Sequence, residues 1–106
     1  MKIKQLSVFL ENRRGRLAEA SRLLGEAGIN IRALAIAETR DFGVLRLIVQ
    51  DVDRAAEVMR SAGWTVSETD VLGIEVPDHP GGLAEVLAAF DRGGLNVEYL
   101  YAFVEK

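Results

Sequence analysis

One block of residues occurs twice in this 106-residue chain, at a fixed offset of 66 positions. Gly15 recurs as Gly81, and Leu17-Ala18-Glu19 as Leu83-Ala84-Glu85. Gly28, Asn30 and Leu34 recur as Gly94, Asn96 and Leu100, with Ile29 and Ile31 answered by Leu95 and Val97. A turn, a helix stop and the asparagine after it all hold register, which marks an internal duplication. The duplication constrains the fold more than any other feature, because both copies must begin the same kind of unit.

The first copy spells out that unit. Residues 3–10 alternate as a strand, with Ile3, Leu6, Val8 and Leu10 apolar and Phe9 on the other face. After the loop ENRRG, Leu17, Ala20, Leu24 and Ala27 fall at helical spacing beside Leu23, and Gly28 stops the helix. Residues 29–38 and 44–50 read as strands of a hairpin around the turn TRDFG at 39–43. Asp51 is placed to cap a second helix whose buried stripe is Val52, Ala55, Ala56, Met59 and Ala62, ending at Gly63. Residues 64–68 make a fourth short strand. This is the βαββαβ, ferredoxin-like order of an α+β protein. It predicts an antiparallel sheet of spatial order 4-1-3-2 with both helices on one face. The other face, with Val44 and Ile48 in phase with Arg46, is partly apolar and suits either a covering partner or scattered exposed residues.

The unit then restarts. Residues 71–77 read as a strand, Leu83, Val86, Leu87 and Phe90 as a helical stripe stopped at Gly93-Gly94, and residues 95–106 as a strand. The expected domains are 1–69, complete, and 70–106, a partial βαβ unit. In the 4-1-3-2 order strands 1 and 2 are not neighbours, so the partial unit cannot build its own sheet, and unpaired backbone groups are costly where buried. Either the chain is a truncated form of a longer protein, the favoured expectation, or another chain supplies the missing strands.

Composition removes several function classes. A net charge of −3 and a pI near 5.1 argue against a nucleic-acid partner. No apolar run approaches the roughly 20 residues of a membrane span, and the start MKIKQLSVFL reads as a strand and not a signal peptide. Without cysteine there is no disulfide or thiolate metal site, and a reducing cytoplasm is the expected compartment. One histidine, His79, makes no plausible metal centre and reads as an exposed turn residue, so neither metal nor cofactor is expected. Acids such as Glu11, Glu38 and Asp41 have no visible nucleophile–base partner, so no catalytic residues are assigned and an enzyme is not expected. DFG at 41–43 lacks every other kinase element and reads as a turn. Tyr99, Tyr101 and Phe103 share one face of the last strand and suit either packing or a ligand side-chain pocket.

The loops DHPGGL and NRRGRL, each followed by a helix and then GLNV or GINI, resemble those of ACT domains. The resemblance extends to tandem-ACT proteins without a catalytic domain. It implies a regulatory module that pairs side by side, as a homodimer or higher homo-oligomer, and holds a small amino acid at the seam between units. The implied ligand residues are Asn12, Arg13, Gly15 and Asn30 in the first copy and Asp78, Gly81, Gly82 and Asn96 in the second. Arg14 departs from the pattern, which usually has proline there, and Asp78 in place of Asn12 makes the loops chemically unequal. A metabolic enzyme is a further partner the resemblance allows, for a module that serves only to oligomerise.

Chemistry independent of the resemblance agrees. A helix starting just after glycine offers unpaired N–H groups and partial positive charge to a carboxylate. Glycines permit close approach, and asparagine can meet both ends of a zwitterion. Asp78 can accept from an ammonium group, and Arg13, Arg14 and Arg16 add positive charge at the first loop. The same residues also serve as ordinary turn and capping chemistry, so the two readings of each stand side by side.

Overall fold

The computed structural model describes residues 1–38 and 40–103, with the side chain of Glu38 left out. Its elements run β1 (Lys2–Glu11), α1 (Arg16–Glu26), β2 (Ile31–Glu38), β3 (Phe42–Val49), α2 (Val52–Ser61), β4 (Val66–Leu72) and α3 (Gly82–Arg92). The chain divides into two compact units, Lys2–Leu72 and Gly73–Lys106 with Met1.

The first unit is a four-stranded antiparallel sheet of order β2-β3-β1-β4, as the periodicity predicts. Alternation along β1 and β3 sends Leu6, Val8, Leu10, Leu45, Leu47 and Val49 to one face. There they close one core with Ala20 and Leu24 of α1 and Ala55, Ala56 and Met59 of α2. On the opposite face Val44, Arg46 and Ile48 are half-buried. Of the stripes predicted for α1 and α2, Leu17 and Ala62 fall outside the core, and both are exposed.

Asp51 caps α2 as expected, its carboxylate accepting from the Arg54 N–H at 3.2 Å. Asp51→Ala is expected to cost about 1 kcal/mol, read as a lowered midpoint in thermal melts followed by circular dichroism. All three helices end alike. A glycine at positive φ (Gly28, Gly63, Gly94) is followed by an apolar residue whose N–H reaches back into the last turn: Ile29 to Leu24 O, Trp64 to Met59 O, Leu95 to Phe90 O.

Two strand assignments change. The fourth strand is not 64–68: it runs Val66–Leu72, because the ten-residue β1 offers ladder partners from Val8↔Val66 to Lys2↔Leu72. It therefore takes in Val71 and Leu72, which the sequence reading gives to the next strand. Residues 73–77 and 95–103, read from sequence as strands flanking α3, form none. A strand needs a neighbour's N–H and C=O groups, and neither segment forms a ladder with another among the described residues. The last three residues of the predicted strand 95–106, and Thr39 of the predicted turn, lie outside the described residues.

Candidate functional site

The duplication is visible atom by atom. Gly15 has φ 89° and Gly81 φ 87°, each standing as the N-cap of an eleven-residue helix with no side chain capping it. The chain enters both loops the same way: Arg13 N–H donates to Glu11 O, and His79 N–H to Pro77 O. It closes both with Arg16 N–H to Arg13 O and Gly82 N–H to His79 O. Glu19 N–H to Gly15 O and Glu85 N–H to Gly81 O start the helical ladders. Asparagine, serine or aspartate would ordinarily take the amides at the second and third helical positions. Here a left-handed glycine holds the cap position, so the amides of Leu17 and Ala18, and of Leu83 and Ala84, receive no side-chain cap.

The first loop sits at the end of the sheet where the β2–β3 hairpin turns. Asn12 binds that turn twice: its N–H donates to Asp41 O and its Nδ2 to Arg40 O, both at 2.9 Å. A cavity of about 80 Å³ opens there, with Asn12, Arg13, Arg16 and Glu11 as its polar wall and Leu10, Leu17 and Ile36 as its apolar one. Arg16 is the best-fixed cation in it. Its guanidinium lies 3.8 Å from the centre of the Trp64 ring, and Nη1 donates to Glu19 Oε2 at 3.0 Å. Its Nε is buried with no hydrogen-bond partner. Arg13 is looser, its Nε 3.8 Å from Glu11 Oε2 with both side chains exposed.

Asn12 and Asn30 are not brought together. α1 runs back along the sheet, so β2 begins at the far end, where Asn30 O accepts from Gln50 N–H at 3.4 Å. Asp41 and Gln50 bracket β3, whose eight residues hold the two asparagines roughly 25 Å apart at about 3.3 Å per residue. Asn30 is exposed, beside an open cavity of about 420 Å³ lined by Gly28, Ile29, Gln50, Asp51 and Arg54. In the second unit Gly81 and Gly82 occupy the loop with Asp78 exposed, while Asn96 lies beyond Gly94, exposed and outside any helix or strand. Gly82 is buried, and a Cβ there would collide with Pro77 O. His79 is exposed, with Nδ1 3.0 Å from Pro80 O.

Sequence reasoning missed Ile36 and Gly43 as neighbours of the loop. Both reach it only through the strand register, and β2 carries an irregularity between Ile31 and Ala33. Past it, Leu34 pairs with Leu47 and Ile36 with Leu45, so both lie on the helix side of the sheet edge, and both stay exposed. No motif in the sequence signals that shift.

A βαββαβ unit followed by a second copy of its loop and glycine-started helix defines a small α+β architecture with an internal duplication. The family model for an ACT domain pair matches residues 1–105, and the chain belongs to that family. ACT domains are regulatory, ligand-binding modules. Among solved structures, protein BT0572 from Bacteroides thetaiotaomicron is 47% identical, with a TM-score of 0.94 over 99% of this chain and 73% of that one. The ligand-free regulatory subunit of aspartate kinase from Thermus thermophilus is 16% identical, with a TM-score of 0.71 over 94% of this chain and 76% of that one, which is a likeness of fold. No curated protein matches the sequence. Among the described residues, no helix is long and apolar enough to cross a membrane.

Proposed function

We propose that this protein is a regulatory sensor that binds a small amino acid at the glycine-capped loops of its ACT units. The observation that carries the reading is the pair of matched loops, with Gly15 and Gly81 at φ 89° and 87° and no side-chain cap on either helix. Two uncapped helix starts repeated with the same backbone suit a ligand carboxylate, which takes the donors a capping side chain would otherwise take. Asn12, Arg13 and Gly15 serve the first loop, and Asp78, Gly81 and Gly82 the second. Asn30 and Asn96 belong to the other end of their units, so Asn30 joins a site with Asn12 only when a second molecule brings its own Asn30 to the loop. A ligand held where units meet favours one packing over another, and that difference is the signal.

Thermal-shift measurements against the common L-amino acids test this reading. A true ligand at a hundredfold excess over its Kd stabilises by about 2.7 kcal/mol, and Asn12→Ala weakens that binding about tenfold with the melting point of the free protein little changed. No stabilisation by any amino acid would sink the reading. The second reading, an oligomerisation module that docks on a metabolic enzyme without a ligand, draws on the open edge of β2 and its exposed Leu34 and Ile36. It expects a stable oligomer in light scattering that no amino acid alters.

A further inference from the structure

We propose that Arg16 is a latch that ties the first loop to the hydrophobic core through Trp64, so that occupancy of the first loop, and not of the second, is read out at Trp64. The proposal rests on the amino-acid reading above and adds how binding is transmitted. The two loops share one backbone, with the same φ at the glycine cap and the same hydrogen bonds, yet different residues hold it. The second loop is held locally. Pro77 and Pro80 fix their own φ, and Gly82 lies against the Pro77 carbonyl. The first loop has Glu11, Arg14 and Arg16 at those three positions, so none of these constraints acts on it. Its restraints come from residues distant in sequence: the hairpin turn gripped by Asn12, and Trp64 beneath Arg16.

Trp64 is a firm anchor. It is 5% exposed and part of the core. Its N–H donates to Met59 O in α2, and the next carbonyl, Thr65 O, accepts from Phe9 N–H of β1. Arg16 stands in the first turn of α1, lines the loop cavity, and has a side chain only 19% exposed. Its guanidinium, 3.8 Å from the ring centre, therefore joins the loop to α2 and β1 through one contact. The latched arrangement also leaves a bond unmade, because Arg16 Nε is buried without an acceptor among the described residues, which is costly. A guanidinium turned towards the cavity gains a ligand carboxylate for Nε and gives up Trp64 and Glu19. Those are two discrete arrangements, and a ligand in the first loop favours the second of them. At the matching position Gly82 has no side chain, so binding at the second loop has no such route.

Two measurements test it. In the free protein, Arg16→Met keeps an apolar stem and removes the cation. Amide exchange at position 16 and at Glu19 is expected to be about tenfold faster, with Gly82 and Glu85 unmoved. Should this variant not fold, Arg16→Lys, which keeps the charge and loses the planar stack, is read the same way. Trp64 is the only tryptophan in the chain, so emission reports on its ring alone. Emission is followed as each common L-amino acid is added, with thermal shift on the same samples identifying any binder. A binder is expected to change the emission of the unaltered protein, and the change is expected to be lost in the Arg16 variant at saturation. Unchanged exchange at Glu19, equal changes in both loops, a binder that leaves Trp64 emission unmoved, or an emission change that survives in the variant would each overturn the proposal and leave the amino-acid reading standing. Stabilisation by no amino acid would overturn both.

Discussion

Leu24→Ala is expected to lower the unfolding free energy by about 2–5 kcal/mol. Leu24 is fully buried in the last turn of α1 and shares the core with Leu6, Leu47 and Met59. Truncation removes its transfer free energy and leaves a cavity among neighbours fixed by the sheet ladder and by α2. Its carbonyl also accepts from Ile29 N–H, so the side chain anchors the turn at which α1 hands over to β2. The internal control is Leu17→Ala. It makes the same chemical change seven positions earlier on the same helix, where the side chain is 44% exposed, and is expected to cost under about 1 kcal/mol. Urea denaturation separates the two: a large fall in midpoint for Leu24→Ala with an unchanged slope, and a small one for Leu17→Ala. Equal midpoints would contradict the placement of α1.

Gly82→Ala is the second large effect, and it differs in kind from Gly81→Ala beside it. Gly81 needs its glycine for conformation: φ is 87°, and a Cβ there meets nothing. Alanine at Gly81 therefore costs the left-handed penalty alone, about 1–2 kcal/mol. Gly82 needs its glycine for space, because the Pro77 carbonyl occupies the place of the Cβ. That carbonyl also accepts from His79 N–H, and His79 O accepts from Gly82 N–H, so moving it loosens the whole turn. The expected cost is about 1–3 kcal/mol, with faster amide exchange at both His79 and Gly82. Gly81→Ala is expected to keep the Pro77–His79 bond protected. Arg16 stands at the position matching Gly82, so the close contact belongs to the second loop, where proline replaces Glu11.

Much of this architecture was legible in the sequence because period and punctuation are local. Apolar residues two apart gave the faces of β1 and β3. Asp51 and the stops at Gly28, Gly63 and Gly94 gave helix boundaries, and the repeat gave the loops. What was not legible depends on partners far along the chain. The length of β4 is set by how much of β1 remains to pair. Residues 73–77 and 95–103 have strand-like patterns, yet pattern alone supplies no neighbouring strand. The placement of Leu34 and Ile36 on the helix side follows from one irregularity in β2, which moves every later side chain to the other face. The separation of Asn12 from Asn30 was implicit in the strand order, since a helix returning along the sheet starts the next parallel strand at the far end. Adjacency in the motif hid it. Arg40 joined the loop only through the carbonyl that Asn12 holds.

The most direct test of the central claim is an amide NMR titration of the protein with the amino acid that stabilises it most. The loop account predicts shifts concentrated at Gly15, Leu17 and Ala18, or at Gly81, Leu83 and Ala84, where uncapped N–H groups meet the ligand carboxylate. Saturating shifts confined to residues elsewhere, with both glycine loops unmoved, would contradict it.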